Sequence, residues 1–474
     1  MIGKIKILLF GSLLVVNSAF SQSLDLSSLE DDADAATATI FEDVPGIENK
    51  CQDHVDEREN MVIGQNTKPN GSRFFVAVGD SMIKAPPGNI NYMNSRQNAY
   101  TAALMNAKKN ILESLKTTVS RDLKLSLAEG NFVEDEKVKE EIKKEVSSAQ
   151  SSDNRDMKSA YNKTLELLNR KLDSELKKSD TNPAPPPKTV EEAEEQMTEK
   201  IEAVLGESFN DVIESHSAQN LYGIKRIFTY ESVPPGKPGS ICVVALYSSR
   251  TKAIADGILQ QDASLFPTGK PNPNYKKLIP NPKTNIGKSE LFSTFGIDMI
   301  RDEQGNFVLI SYAQAGVTAP VVNKTSINAA LRRAVGTAKG QLATYLKEAA
   351  ALKSKQQNTE SYKQMADGTE YYEGSSALKE DMESQSKNVD ITGAQKGKNW
   401  ALKHPITKQT VVGTWLSISS ASMEGSKADI KDFNNRPKKG TSSAGSSGSS
   451  NKADYGKTTK GYSGGSRKSS DDDF

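Results

Sequence analysis

The sequence contains few of the residues on which enzymes and metal sites usually depend. Its three histidines, His54, His216 and His404, are far apart in a chain of 474 residues. The motifs HExxH and CxxC are absent, and no GxSxG elbow or phosphate-binding glycine loop joins a predicted strand to a helix. His54 lies among carboxylates in CQDHVDERE, but a single histidine without a second ligand predicts a solvated side chain. We therefore predict no catalytic residue, no cofactor and no metal.

The two cysteines, Cys51 and Cys242, permit one disulfide. In an exported protein this bond would tie the N-terminal arm to the end of the first folded module. Closing so long a loop would stabilise the chain by roughly 4–5 kcal/mol. The alternative is that Cys242, within the strand-like sequence ICVVALYSS, is a buried free thiol.

The last four residues, Asp471, Asp472, Asp473 and Phe474, are a candidate hook for a partner pocket. They end a segment rich in Ser, Gly and Lys, residues 434–474, which has too few apolar side chains to fold. We therefore predict a disordered tail with an acidic tip. The basic part of this tail could bind an anionic polymer or surface through charge.

Two alanine-rich helices are the elements around which the chain is organised. An apolar strand, a Pro-Gly turn and such a helix make up residues 73–115, and this order recurs later in the chain. Small residues at every fourth position allow a helix to lie very close to a β-sheet. An oligomer contact along the same face is the alternative. The matching positions of this helix face are Ala99, Ala103, Ala107, Ile111 and Leu115 in the first helix and Ala330, Ala334, Ala338, Leu342 and Leu346 in the second.

These patterns predict an α+β fold of two repeated modules, residues 61–262 and 286–433, each a small sheet covered by its alanine-rich helix. Residues 131–220 form an insertion in the first module. Apolar residues three and four apart, on both sides of the prolines at 183–187, predict two amphipathic helices in a projecting antiparallel hairpin. The proline-rich residues 263–285 predict a stiff, extended linker.

The N-terminus indicates export. Lys4 and Lys6 precede a short apolar run and small residues, which predicts a signal peptide at residues 1–21. Residues 22–60 are acidic without periodicity and predict a flexible arm. No cysteine follows the cleavage site, and no later run approaches the ~20 apolar residues of a membrane-spanning helix. We expect a periplasmic or extracellular protein, and peripheral association with the envelope stays open.

The strand FFVAVGDSMI, the helix SRQNAYTAALMNAKKNILESL and the closing strand ICVVALYSS follow one another in an order that resembles the small α/β domain of exported flagellar ring and lipoprotein families such as FlgP and FlgT. The paired modules also resemble exported bacterial proteins of unknown function. The flagellar resemblance implies a structural, ring-forming or envelope-associated component and not an enzyme. The chain departs from those families because it lacks their lipid-bearing cysteine.

Three functions are compatible with these features. The first is a non-enzymatic structural, scaffolding or assembly protein of the bacterial envelope, which binds protein partners or further copies of itself. The second is a secreted enzyme with a site between the two modules, where clefts commonly form. The third is an adhesin that binds an envelope polymer or surface through its basic tail. A net charge of +1 argues against specific nucleic acid as a partner.

Overall fold

The computed structural model of the protein describes residues 39–435 with internal gaps. The gaps are residues 43–45, 59–60, 69–70, 151–154, 177–184, 206, 268, 282, 285–286, 288–289, 293, 320, 347–360, 365–369, 374–392 and 405–406. The predicted signal peptide, residues 1–21, and the tail after residue 435 lie outside the described residues.

The described chain contains twelve strands and ten α-helices. The strands are β1 (Thr39–Glu42), β2 (Gly64–Thr67), β3 (Arg73–Ile83), β4 (Lys225–Val233), β5 (Gly239–Ser248), β6 (Gly296–Arg301), β7 (Phe307–Gly316), β8 (Ser361–Gln364), β9 (Glu370–Glu373), β10 (Gln395–Lys396), β11 (Trp400–Lys403) and β12 (Thr410–Ser419). The helices are α1 (Ile47–Asp53), α2 (Tyr92–Asn131), α3 (Glu136–Gln150), α4 (Arg155–Leu176), α5 (Val190–Val204), α6 (Glu207–Asn220), α7 (Ser249–Leu259), α8 (Tyr275–Leu278), α9 (Lys324–Leu346) and α10 (Ser420–Asn435).

Each half of the chain contains two hairpins that are each followed by a helix, and the second half also contains β8 and β9, which pair as a separate two-stranded sheet. The β2–β3 hairpin precedes α2 and the β4–β5 hairpin precedes α7; β6–β7 precedes α9 and β11–β12 precedes α10. The first sheet has the strand order β1-β4-β5-β3-β2 and the second has β10-β12-β7-β6, with β11 also paired to β12. The predicted α+β fold is confirmed.

The two halves also end in the same way. Phe74 lies opposite Ser248 in the first sheet, and Val308 lies opposite Ser419 in the second. Each of these serines caps the helix that follows its strand, because its hydroxyl accepts a hydrogen bond at 3.1 Å from the backbone N–H three residues later. The strand register and the helix start are therefore repeated together.

Helix α2 lies between the two sheets. On one side it touches the first sheet so closely that a Cβ added to Gly79 would lie 2.2 Å from the Ala103 carbonyl oxygen. On the other side Tyr100 stacks on Phe295, next to β6, with 4.6 Å between ring centroids. The molecule is therefore layered in the order α1, first sheet, α2, second sheet and α9, and one helix serves both sheets.

The predicted boundary between the modules is not a boundary in the packing. Helix α7, which falls in the first module by sequence, buries Ile254 and Ile258 in the same core as Leu309 of the second sheet. The Tyr345 hydroxyl of α9 donates a hydrogen bond to the Thr251 carbonyl oxygen of α7 at 2.6 Å. The second sheet is thus covered by helices from both halves of the chain.

The insertion differs from the predicted projecting hairpin. The described residues between 131 and 220 include the four helices α3 to α6, which pack against the C-terminal half of α2. Helix α2 has 40 residues and is therefore about 60 Å long, well beyond the sheet that its first half covers. In its second half, Leu123 and Leu127 are buried in the same hydrophobic core as Leu168 and Ile201 of the bundle.

The predicted flexible arm is folded over residues 47–58. Helix α1 and the π-helical turn His54–Arg58 cover the outer face of the first sheet with the buried side chains of Ile47, Cys51 and Val55. These residues are four apart, so they form one face of a helix. The acidic composition of the arm concealed this apolar stripe.

The predicted extended linker is folded as well. It contains a 3₁₀ turn at Ala263–Leu265 and the short helix α8. The Asn272 backbone N–H donates a hydrogen bond at 2.8 Å to the Asp302 carbonyl oxygen in the β6–β7 turn. Because Leu278 packs against the core between the modules, the linker lies along the second sheet.

Candidate functional site

Polar side chains from both halves of the chain converge where β4 and α2 meet the second sheet. We call Arg96, Arg226, Glu231, Asp298 and Gln314 the interface cluster. Arg96 comes from α2, Arg226 and Glu231 from β4, Asp298 from β6 and Gln314 from β7. This is the place where a site between the modules would lie.

Arg96 is the centre of the interface cluster. Its Nε lies 2.8 Å from both carboxylate oxygens of Glu231. Its Nη1 donates to Gln314 Oε1 at 3.0 Å, and its Nη2 donates to the carbonyl oxygen of Phe292. The guanidinium also lies 4.3 Å from the centroid of the Phe295 ring. Arg96 therefore joins β4, β7 and the segment before β6.

A second ion pair joins the two sheets directly. Arg226 Nη2 lies 2.6 Å from Asp298 Oδ2, and both side chains are buried. Burial raises the pKa of Asp298, while the positive charges of Arg226 and Lys225 act against this shift. Burial also raises the pKa of the neighbouring Tyr100, so that this phenol stays neutral.

His404, at the end of β11, lies beside the interface cluster. Its ring is fully buried, 6.3 Å from the Tyr92 ring and 5.5 Å from the Phe292 ring. Its Nδ1 accepts a hydrogen bond from the Thr407 backbone N–H at 3.2 Å, which places a lone pair on that nitrogen. Burial, together with the positive charge of Arg96, lowers the pKa of His404 to about 3. The imidazole is therefore neutral at pH 7.

The side chains of the interface cluster are buried and paired with one another, an arrangement that holds the two modules together. None of its five side chains belongs to a residue that is more than 3% exposed. Its two arginines are paired with its two carboxylates, so their charges neutralise one another in the interior. Sequence reasoning missed these residues, because nothing in the sequence marks Arg96 and Glu231, 135 positions apart, as partners.

The predicted helix face is buried along its whole length. In α2 the alanines lie against the first sheet, and in α9 the carbonyl oxygen of Ala338 accepts a hydrogen bond from Ser311 Oγ at 2.9 Å. An oligomer contact along this face is therefore wrong, because the sheets already cover it. The buried positions, all at most 5% exposed, are Ala99, Ala103, Ala107, Ile111, Leu115, Ala330, Ala334, Ala338, Leu342 and Leu346.

Cys51 and Cys242 form a disulfide, with their Cα atoms 6.3 Å apart, which holds α1 against β5. His54 follows α1 and is 4% exposed, so the prediction of a solvated side chain is wrong. Its Nδ1 lies 2.9 Å from the Tyr230 hydroxyl, and its ring packs on Phe228. Within the described residues no group of three or more His, Cys, Asp or Glu side chains is placed to hold a metal ion.

Trp400 and Trp415, at 6% and 7% exposure, belong to the core between the modules. The candidate hook, Asp471, Asp472, Asp473 and Phe474, lies outside the described residues. Among the helices of the described part of the chain, none has the length and apolar character needed to span a membrane.

Comparison with known proteins gives a match to part of the chain. Residues 157–260, from α4 through α7, match a family described as a domain of unknown function, DUF6844. No curated protein matches the chain. Among solved structures, the hypothetical protein FTT1539c from Francisella tularensis is similar at 17% sequence identity, over 84% of this chain and 98% of that chain, with a TM-score of 0.41.

Neither match is to the flagellar ring or lipoprotein families. The matched family covers about a fifth of the chain, including the C-terminal part of the helical bundle and the β4–β5 hairpin. The chain is thus similar, over this segment, to a family of unknown function.

Proposed function

We propose that this chain is an exported, non-enzymatic structural protein of the bacterial envelope, which holds partner proteins or further copies of itself in fixed positions. The observation that supports this proposal is the interface cluster. Its charged side chains pair with one another in the interior and thereby fix the orientation of the two modules. A protein whose two sheets and helical bundle keep a fixed orientation can hold its binding partners in fixed positions, as a scaffold does.

Export is part of the proposal. A disulfide that links residues 191 positions apart is typical of proteins from oxidising compartments. The predicted signal peptide would supply the route to such a compartment. A ring-forming assembly, as in the flagellar families that the strand and helix sequences resemble, would be one form of this function.

The alternative of an enzyme with its site between the modules receives less support. Such a site needs polar groups that reach a substrate. The interface cluster instead contains paired charges that are at most 3% exposed. The adhesin alternative depends on the tail, which lies outside the described residues.

The proposal is tested by cross-linking in living cells. The full chain, with a C-terminal tag, is expressed in its own host and treated with an amine-reactive cross-linker before fractionation. A scaffold should give discrete, larger cross-linked species in the envelope fraction. The matched control lacks residues 1–21 and should give none of these species. A full-length chain that stays monomeric, or that gives the same species as the control, would contradict the proposal.

A further inference from the structure

The edge of the first sheet beside β2 is only partly covered, and we propose that its open part pairs with the same part of a second copy of the chain. Strand β3 has 11 residues, and β2 pairs only with its first part, from Arg73 to Val76. In the described part of the chain, no other strand pairs with β3 on this side. We call residues 77–83 the open edge. Pairing here would give the proposed scaffold a surface for holding further copies, so the inference rests on that function.

The backbone of the open edge can accept another strand. Residues 77–83 are extended and span about 23 Å, which is longer than an average strand. The carbonyl oxygens of Val78 and Asp80 point outward, where they accept hydrogen bonds from Asn110 Nδ2 at 2.8 Å and from Asn106 Nδ2 at 2.9 Å. Backbone groups two residues apart in a strand point to the same side, so the N–H and C=O of Met82 also face the open edge.

The side chains along this edge do not prevent pairing. Edge strands that stay unpaired usually carry lysine or proline, which block the approach of another strand. The sequences VIGQNT, residues 62–67, and FFVAVGDSMI, residues 74–83, contain no Lys, Arg or Pro. Asp80 is the one charged residue in these two sequences. The open edge therefore lacks the usual protection against edge-to-edge contact.

Exposed apolar side chains lie at both ends of the open edge. Of the eight large apolar side chains that are exposed in the described part of the chain, three are here: Val62, Ile63 and Met82, at 57%, 43% and 61%. Val62 and Ile63 directly precede Gly64, which lies opposite Val76, so they lie where the open edge begins. Met82 lies near its other end. A strand that pairs with this edge would therefore also bury apolar surface.

A second copy fits this edge, because two identical strands can pair antiparallel about a two-fold axis. An axis at Met82 brings the Met82 side chains of the two copies together. The two Asp80 carboxylates are then about 13 Å apart along the strands, and the residue opposite each is Lys84 of the other copy, so like charges do not meet. An axis at Asp80 would instead place two carboxylates directly opposite each other. The edge is therefore self-complementary when the axis lies at Met82.

Asn106 and Asn110 of α2 occupy the positions that an added strand would use. Their side-chain N–H groups donate to carbonyl oxygens to which the backbone N–H groups of a second copy would donate. Asn110 is exposed and Asn106 is half-buried, so both side chains can turn away when a strand arrives. The two asparagines therefore compete with the second copy, and their removal should strengthen pairing.

The test is sedimentation velocity of the mature chain, residues 22–474, over a range of protein concentrations. Wild-type protein should show a monomer–dimer equilibrium. Met82→Lys should weaken dimerisation by about tenfold or more, because it removes an apolar contact and places like charges at the axis. Asn106→Ala with Asn110→Ala should strengthen dimerisation by about tenfold, since the net effect of one hydrogen bond on an equilibrium constant is about fivefold.

Leu167, which is 46% exposed on α4, supplies matched controls. Leu167→Lys should leave the dimerisation constant within about twofold of wild type, because it is a surface substitution on the helical bundle. A cysteine variant tests the position of the axis. Directly opposite residues of a hydrogen-bonded antiparallel pair have Cα atoms about 5.5 Å apart, which suits a disulfide. Met82→Cys should therefore give a disulfide-linked dimer on mild oxidation, and Leu167→Cys should not; the native cysteines are already bonded to each other.

Three results would overturn pairing through the open edge. The first is a purified wild-type chain that stays monomeric at every concentration, including one that binds only an extended peptide of another protein. The second is equal dimerisation of Met82→Lys and Leu167→Lys. The third is a Met82→Cys variant that does not cross-link. Envelope cross-links in cells that Met82→Lys leaves unchanged would refute the open edge and keep the scaffold. Dimers that depend on Met82, without any cross-linked species in cells, would refute the scaffold and keep the open edge.

Discussion

Replacing Arg96 with methionine should destabilise the chain by about 3–5 kcal/mol. The paired side chains of Arg96 and Glu231 are each 2% exposed, so the variant leaves a carboxylate in the interior without its positive partner. The Tyr92 hydroxyl, 3.3 Å from Glu231 Oε1, would still donate a hydrogen bond to this carboxylate. The Gln314 oxygen and the Phe292 carbonyl oxygen would also lose a donor.

The assay is urea unfolding of residues 22–474, followed by far-UV circular dichroism and tryptophan fluorescence. If the slope of the unfolding free energy against urea concentration is unchanged, a shift in the urea midpoint reports a change in stability. The substitution Glu231→Gln removes the negative charge of this side chain and keeps its shape. The double variant Arg96→Met/Glu231→Gln should therefore cost about 2 kcal/mol less than the sum of the single variants.

An exposed ion pair in the helical bundle supplies the matched control. Arg121 Nε lies 3.0 Å from Glu194 Oε2, but these side chains are 42% and 31% exposed. Arg121→Met should cost less than about 1 kcal/mol, because water already solvates both charges. If Arg96→Met costs no more than this control, the interface cluster does not hold the modules together and the reasoning fails.

Two further predictions concern pH and the disulfide. His404 has a pKa of about 3 in the folded chain and an ordinary value of 6.5, so the unfolded chain binds the extra proton first and stability is lost as pH falls below about 6.5. Lowering the pH from 7 to about 4.5 should reduce the free energy of unfolding by about 3 kcal/mol through this residue. The variant His404→Gln should lack that part of the pH dependence when stability is measured by urea titration. A variant with the same pH profile as wild type would contradict the burial argument. Replacing both Cys51 and Cys242 with serine should lower the unfolding free energy by about 5 kcal/mol, because the bond closes a loop of 191 positions. A variant as stable as the oxidised wild type would contradict this.

The local features of the fold could be predicted from the sequence. Alternating apolar residues in β3, and alanines four apart in α2 and α9, were sufficient to predict strands, helices and the face that each helix buries. The stripe at Ile47, Cys51 and Val55 was also present, but the acidic surroundings led to the prediction of a flexible arm. A search for apolar residues four apart in the arm would have found α1.

The shared position of α2 could not be predicted. Periodicity identifies one apolar face, and that face accounts for the first sheet only. The face toward the second sheet carries Arg96 and Tyr100, which usually indicate solvent or a boundary. Their burial depends on Glu231 and Phe295, which are distant in sequence and become neighbours only when both sheets have formed. The candidate site was therefore beyond local pattern reasoning.

The most direct test of the shared helix uses the two tryptophans, Trp400 and Trp415, which both lie in the second half of the chain. Gly79→Ala in the first sheet places a Cβ 2.2 Å from the backbone of α2 and should cost about 1–3 kcal/mol, whereas Gly130→Ala has no neighbouring atom within 4 Å and serves as the control. If α2 unites the halves, the urea midpoints from tryptophan fluorescence and from far-UV circular dichroism should fall together in Gly79→Ala and not in the control. A tryptophan midpoint that stays at the wild-type value while the circular dichroism midpoint falls would show that the halves unfold independently, and the account would be wrong.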